Sequence, residues 1–304
     1  MIEIKNLYKS FGNKKVISDL SLQIPNGTLF GLVGINGAGK STLLRLLSGV
    51  YQPDSGSIYY DGVSNKSKII NKDIFFLSDD PYYPNNSTIS SVIEFYRTFY
   101  DFNHIDFDKY FKLFGLDKAI KEVNKDTKRS SSIKNFSKGM KRQLFICIAL
   151  AISPKYLFLD EAFDGLDPLA RLVFKKIIIE LVEEKDITVI ISSHSLRELE
   201  DICDNYCLID NGVIQSSGSI DEQKNKYHKY QLAFSNDVSK EDLEELNIVS
   251  YNKLGRVVKI VCEGEKVEIE NIINSLNPLF YDEIDIDFEE LFIIEVERKG
   301  YINE

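Results

Sequence analysis

The chain has 304 residues, 43% hydrophobic and 28% charged, which excludes disordered, collagenous and coiled-coil proteins and predicts about two domains. Four cysteines with no CxxC pair exclude a disulfide framework and a zinc site of that kind, so reduced, buried thiols are expected. The net charge of -10 is uneven: residues 225–304 hold 9 Lys+Arg against 18 Asp+Glu, leaving 28 against 29 for the first 224. That step predicts a domain boundary near residue 225 and argues against nucleic-acid binding beyond it.

The first residues, MIEIKNLYKSF, lack a basic segment followed by an apolar one, so no secretory signal is expected. Apolar runs such as Leu144–Ile152 fall short of the roughly 18 residues that a membrane span needs. A cytoplasmic protein is expected, with any membrane role coming through a partner.

Ile2–Leu7 and Val16–Ile24 read as strands, with a turn at Pro25-Asn26-Gly27. Leu29–Val33 has the unbroken apolar pattern of a buried strand and leads through a Gly-rich loop into a helix over Lys40–Leu47. Ser57–Tyr60 and Ile74–Leu77 are further strands. From Thr88 to about Lys125 the period becomes helical, and an aromatic stripe at Phe95, Phe99 and Phe102 is expected to pack in a core. Ser130-Ser131-Ser132, beside Lys128-Arg129, is expected to be a solvated loop. A helix over Lys138–Ile152, a strand at Tyr156–Leu159, a helix near Leu169–Glu184, a strand at Thr188–Ile191 and a helix near Leu196–Ile202 follow. Asn211-Gly212 between Tyr206–Ile209 and Val213–Gln215 is a strong hairpin signal. Strands alternating with helices predict a largely parallel α/β sheet. After residue 225 the order is strand (Tyr227–Phe234), helix (Lys240–Leu246), strand, strand (Val257–Val261), helix (Val267–Leu276), strand (Glu283–Ile286) and a final helix. This β-α-β-β-α-β order resembles a ferredoxin-like unit.

Gly34-Ile35-Asn36-Gly37-Ala38-Gly39-Lys40-Ser41 fits G-x-x-x-x-G-K-[ST] after a strand and before a helix. Glycines let backbone N–H groups wrap phosphates, and the helix N-terminus adds partial positive charge. Lys40 can reach the outer phosphates and Ser41 can ligate Mg²⁺. The chain is expected to bind a nucleoside triphosphate. No Asn-Lys-x-Asp sequence occurs, which counts against a guanine-reading GTPase.

The apolar strand Tyr156–Leu159 ends in Asp160-Glu161, and carboxylates at such an end face the ligand crevice of an open α/β sheet. Asp160 suits Mg²⁺, and Glu161 suits polarisation of an attacking water. Ser137, in Phe136-Ser137-Lys138-Gly139-Met140, precedes this strand; Gly165-Leu166-Asp167-Pro168 and then Ile191-Ser192-Ser193-His194 follow it. With these motifs, residues 1–220 resemble the ATP-binding cassette (ABC) family, most like cassettes of ABC-2-type and bacitracin-resistance exporters.

The resemblance implies a P-loop NTPase cassette with a parallel core sheet, an antiparallel β subdomain and a helical subdomain over about residues 80–135. An acidic α+β accessory domain over 225–304 would follow. It implies ATP held by Phe11, Gly34, Asn36, Gly37, Ala38, Gly39, Lys40, Ser41 and Thr42, with Mg²⁺ at Ser41, Asp79 and Asp160. Glu161, His194 and Lys40 would be catalytic. Ser137 and Gly139 would close over the phosphate bound by a second protomer, and Asp167 would bridge the two. Phe11 either stacks on adenine or packs at a strand end. Three positions depart from the family pattern: Asp79 stands where Gln is usual, Lys138 where Gly is, and Met140 where Gln is.

The implied function is ATP hydrolysis that drives an exporter, at the cytoplasmic face of the membrane. The partners would be a second ABC ATPase subunit, identical or not, and integral membrane permease subunits, with no nucleic acid. The alternatives are a soluble ABC ATPase and a weakly hydrolysing regulatory cassette in a heterodimer.

Overall fold

A computed structural model describes residues 1–66, 72–118 and 132–298. The chain divides into two compact units, Met1–Ser217 and Gly218–Glu304. Among the described residues, no helix is long and apolar enough to cross a membrane.

In the first unit, β1 (Ile2–Phe11), β2 (Lys14–Ile24), β4 (Ser55–Tyr60) and β5 (Val63–Ser64) form an antiparallel sheet in the order β2-β1-β4-β5. Alternation puts Ile2 and Ile4 on the face shared with Leu20, Leu22, Ile24, Ile58 and Tyr60, and these residues share one core cluster with Leu43 and Leu47 of α1 (Lys40–Leu47). The second sheet holds β3 (Leu29–Val33), β6 (Ile74–Leu77), β7 (Tyr156–Leu159), β8 (Thr188–Ser193), β9 (Asn205–Asp210) and β10 (Val213–Ser219). Its order is β10-β9-β3-β8-β7-β6, with β9, β3, β8, β7 and β6 parallel. Every residue of β3, β7 and β8 is buried, the pattern of strands covered on both faces.

The helices are α2 (Ile89–Arg97), α3 (His104–Leu113), α4 (Lys138–Ile152), α5 (Pro168–Lys185) and the short α6 (Leu196–Glu200). Thr88 and Ser91 make a reciprocal capping box at the start of α2, and Asn103 caps α3. The expected aromatic core stripe is corrected in part: Phe95 and Phe99 meet edge to face at 5.5 Å but are 39% and 57% exposed, whereas Phe102 is partly buried against Phe107. Helical phase turns Val92, Ile93 and Tyr96 inward instead, with Tyr96 against Phe75 and Phe145. Residues 119–125 of the expected helical stretch, and 128–131 of the expected serine loop, lie outside the described residues.

The second unit opens with α7 (Ile220–Lys226). Its sheet contains β11 (Tyr227–Ala233), β12 (Ile248–Leu254), β13 (Val257–Glu263) and β14 (Phe280–Ile284) in the order β12-β13-β11-β14, all pairs antiparallel. With α8 (Lys266–Ser275) and α9 (Phe288–Arg298), this is the strand order of a ferredoxin-like sheet. The helix expected over Lys240–Leu246 is only a 3₁₀ turn at Glu241–Leu243. Two apolar residues, Leu243 and Leu246, enter the core there, too few for an amphipathic helix. The last strand begins three residues earlier than the sequence pattern suggests, and all four cysteines are buried and free.

Two local devices join the sheets of the first unit. At the β9–β10 turn, Asn211 and Gly212 both have positive φ (47° and 76°). Gly212 N–H donates to Ala38 O at 2.9 Å, and Gly212 O accepts from Ser18 N–H at 2.9 Å. A Cβ at 212 would lie 2.0 Å from Val16 O. Asp61, between β4 and β5, accepts hydrogen bonds from Lys155 Nζ (2.6 Å), Tyr156 OH (2.7 Å) and Asn26 Nδ2 (2.9 Å) at the entry to β7.

Gly212→Ala is expected to destabilise the chain by about 2–4 kcal/mol, from backbone strain plus overpacking, and to lower the thermal midpoint measurably. Lys155 first, with Tyr156 and Asn26 among the other donors, holds the Asp61 carboxyl well below the usual carboxylate range. Its folded pKa lies below the unfolded value of about 3.9, so its contribution is complete above about pH 5 and fades as pH falls. In urea titrations, the stability gap between wild type and Asp61→Asn is expected to narrow from pH 6 to pH 3. A gap independent of pH refutes this linkage.

Candidate functional site

The C-terminal ends of β3, β8, β7 and β6 lie side by side in the sheet, and each leads into a segment rich in polar groups. The loop after β3 carries residues 34–39. Asp160 and Glu161 follow β7, His194 follows β8, and Asp79 lies two residues beyond β6. Ligands of open α/β sheets gather at this edge.

A cleft of about 550 Å³ opens here, lined by Phe11, Asn36, Gly37, Gly39, Lys40, Ser41, Thr42, Asp79, Asp160 and Glu161. Gly34 and Ala38 belong to the same loop. Gly39, at φ 113°, turns the chain into α1; a Cβ there would come within 3.0 Å of Val16 O and Ile17 Cδ1. Lys40 is 5% exposed, with Nζ donating to Gly34 O (2.6 Å) and Ile35 O (3.3 Å) and lying 3.3 Å from Glu161 Oε1. Phe11 stands at the mouth, 44% exposed, with Tyr51 edge-on behind it at 5.4 Å. This leaves ring surface available for stacking.

Asp160 is 1% exposed, and its Oδ1 accepts from Ser41 Oγ (3.0 Å) and Ser192 Oγ (2.7 Å). Ser192 Oγ in turn accepts from Glu161 N–H at 2.9 Å. Glu161 takes a left-handed φ of 47°, and its Oε2 accepts from His194 Nδ1 at 2.9 Å. The Glu161 carboxylate thus sits between a buried ammonium and a half-exposed imidazole. Ser41, Asp79 and Asp160 offer only oxygen donors to one cleft, the chemistry that a hard divalent cation such as Mg²⁺ requires. The residues present therefore fit that ion.

Ser137 and Asp167 are exposed and do not line the cleft. Each caps a helix: Ser137 Oγ accepts from Met140 N–H at 3.1 Å, and Asp167 Oδ1 from Ala170 N–H at 2.9 Å. Gly139 abuts the loop before Asp167, where a Cβ would fall 2.6 Å from Gly165 O.

Sequence reasoning missed Lys14, Val16 and Arg45 in the cleft lining, and Ser192 and Arg142 behind it. Arg142 is 3% exposed and spans from α4 to the strand ends. It donates to Ser78 O (2.7 Å), Ala162 O (3.3 Å) and Asp160 O. Burial pushes its pKa down, opposed chiefly by Asp79 and Asp160. Arg142 stands between Lys141 and Gln143 in the polar first turns of α4, so the local pattern carries no signal of its burial.

Arg142→Met is expected to cost about 2–4 kcal/mol, because buried carbonyls lose their donors at about 1–3 kcal/mol each. Urea unfolding checks this; a loss below 1 kcal/mol would mean that other donors fill the gap.

The family model described as "ABC transporter" matches residues 17–164. The ABC transporter ATP-binding protein YtrB of Bacillus subtilis (strain 168) is 29% identical over 296 residues, covering 96% of this chain and 97% of YtrB. The lantibiotic transport ATP-binding protein SrtF of Streptococcus pyogenes is 32% identical over 225 residues, covering 74% of this chain and 93% of SrtF. A solved structure, "Structure of ATP binding subunit of ABC transporter", superposes with a TM-score of 0.64 at 25% identity, over 74% of this chain and 92% of that one. The chain therefore belongs to the ABC transporter ATP-binding family and is an ATP-binding cassette ATPase.

Proposed function

We propose that this cassette hydrolyses ATP with Glu161 as the base, and that it drives an ABC-2-type exporter. It would work as one of a pair of cassettes bound to integral membrane permeases at the cytoplasmic face of the membrane. The observation that carries the hydrolytic reading is the placement of Glu161 between Lys40 at 3.3 Å and His194 at 2.9 Å, on the wall of the phosphate-loop cleft. The transport reading leans on relatives such as SrtF, whose name assigns it to lantibiotic transport.

The phosphate loop and the N-terminus of α1 would take the phosphates of ATP, while Phe11 stacks on the base. Lys40 spends its charge on Glu161 and two carbonyls in the present arrangement. An incoming phosphate would replace Glu161 as its partner, releasing that carboxylate to accept a proton from water. His194, hydrogen-bonded to the opposite oxygen of the carboxylate, would fix its direction. Ser41, Asp160 and Asp79 would hold Mg²⁺, which supplies charge neutralisation at the phosphates. Asp79, shorter than the family's glutamine and anionic, would add a negative charge to that set.

The cleft takes its walls from one protomer, and Ser137 and Asp167 are exposed outside it. In the proposed dimer, the Ser137 helix N-terminus of a second copy would cover the nucleotide, and Asp167 would contact that copy. Closure would complete the donor set around the transferred phosphoryl group.

Glu161→Gln is expected to bind ATP as well as wild type or more tightly, since a negative charge beside the phosphates is gone. Its turnover is expected to fall by about 10²–10⁴-fold, the range for loss of a general base. Equilibrium ATP titration and steady-state phosphate release check the two halves separately. Near-normal turnover removes Glu161 from the reaction.

A further inference from the structure

Outside the cleft, one chain of polar contacts returns to it by another route. Ser193, the last residue of β8 and the neighbour of His194, is 1% exposed. Its Oγ donates to Glu198 Oε2 at 2.7 Å and accepts from Ser195 N–H at 2.9 Å, so one hydroxyl straddles the His194 peptide. The other oxygen of Glu198 accepts from Arg171 Nη1 at 2.5 Å. Arg171 Nε donates in turn to Leu166 O at 3.0 Å, the residue before Asp167. From Leu166 the backbone runs back five residues to Glu161, through turns closed by Leu166 N–H to Phe163 O (3.2 Å) and Asp164 N–H to Glu161 O (3.1 Å). Glu161 meets His194 at 2.9 Å and closes the ring.

We propose that Arg171 and Glu198 are positioning residues for hydrolysis, a clamp that fixes the loop of His194 against the loop that joins Glu161 to Asp167. The inference rests on the reading of Glu161 and His194 as the hydrolytic pair. The chemistry suits a clamp. The arginine fork reaches a carbonyl and a carboxylate at once, and the carboxylate's second oxygen remains free to hold a buried hydroxyl. The pair touches neither the cleft nor its nucleotide surface, so its influence on the reaction passes through geometry alone. It also gives the exposed Asp167 loop a route to His194. Displacing Leu166 pulls Arg171, then Glu198, then Ser193, in four contacts of 2.5–3.0 Å. Contact by a second copy at Asp167 would thereby align the imidazole with Glu161.

Steady-state ATP hydrolysis by the full-length chain tests this in wild type, Glu161→Gln, Glu198→Ala, Glu198→Gln and Arg171→Lys. Glu198→Ala is expected to lower kcat by about 10- to 100-fold, the scale of a catalytic group misplaced by about 1 Å, with KM for ATP nearly unchanged. Glu198→Gln keeps an acceptor for Ser193, and Arg171→Lys keeps the charge; each is expected to recover part of the loss. In a His194→Ala background, Glu198→Ala is expected to add no further loss, because its effect acts through His194. Unchanged kcat in Glu198→Ala, or equal proportional losses in both backgrounds, overturns the clamp.

If Glu161→Gln hydrolyses like wild type, the hydrolytic reading has failed, and the clamp is then judged by nitrogen NMR of the histidine rings. The chain has three histidines. Glu198→Ala must perturb the His194 Nδ1 signal while leaving His104 and His228 unmoved; an unperturbed His194 refutes the clamp. Ser193→Ala, a smaller change in the same ring, takes the place of Glu198→Ala if that variant does not fold.

Discussion

Three charged side chains sit almost dry at the C-terminal edge of the parallel sheet: Lys40 and Arg142 as cations, Asp160 as an anion. Isolated burial of any of them would cost several kcal/mol, so the architecture around them is dictated by the need for partners. Lys40 draws on two loop carbonyls and on Glu161, Asp160 on two serine hydroxyls, and Arg142 on three strand-end carbonyls. Among these partners only the two loop carbonyls of Lys40 are local in sequence. The charges are satisfied only when β6, β7, β8 and α4 are docked together, so the edge proposed to receive a triphosphate assembles as one body. A site built this way meets its ligand with its dipoles already oriented, which is where electrostatic stabilisation of a transition state originates.

Glu161 shows the same economy at the level of one residue. Its left-handed backbone, uncommon for a residue with a long side chain, costs of order 1–3 kcal/mol. The peptide is held from both sides, by Ser192 Oγ on its N–H and by Asp164 N–H on its carbonyl. The sharp turn serves two ends: it halts β7 and sends the chain into the loop of Gly165 and Asp167, and it leaves the carboxylate directed at Lys40 and His194. A residue in ordinary helical or extended conformation could not serve both. The strained position and the proposed catalytic position coincide because the turn is what delivers the side chain.

Much of this was legible before any coordinates, for reasons that can be named. Buried parallel strands are near-continuous apolar runs, so Leu29–Val33, Tyr156–Leu159 and Ile74–Leu77 coincide with the observed β3, β7 and β6. The phosphate loop was legible because its glycines and Lys40 are adjacent in the chain. What stayed hidden depends on contacts distant in sequence. Ser192 reads as an ordinary strand-end serine until Asp160 lies beside it at 2.7 Å. Arg142, Arg171 and Glu198 are polar residues on helices, which normally means a solvated face. The stripe at Phe95 and Phe99 failed for a different reason: three- and four-residue spacing identifies a helical face without saying whether that face turns inward. Val92, Ile93 and Tyr96 supply the inward face on the same helix.

The acidity that divides the chain in composition does not account for the fold of its second unit. That fold rests on a core of its own, in which Tyr230, Leu232, Val258, Ile260 and Cys262 of the sheet meet Ile269 and Ile273 of α8. Four of the unit's lysines are matched locally: Lys226 with Glu263, Lys229 with Glu290, Lys253 with Asp237, and Lys266 with Glu283. Such surface pairs contribute little individually, about 0–1 kcal/mol each. They engage four of the nine basic side chains of residues 225–304, and fourteen of that segment's eighteen acidic residues stay outside these four pairs, so the surplus is negative surface. A surface of that sign repels polyphosphate rather than gathering it. The separation of charge along the chain therefore parallels a proposed separation of labour: the nearly neutral first unit carries the buried cations of the proposed ATP site, at a sheet edge where burial makes them count.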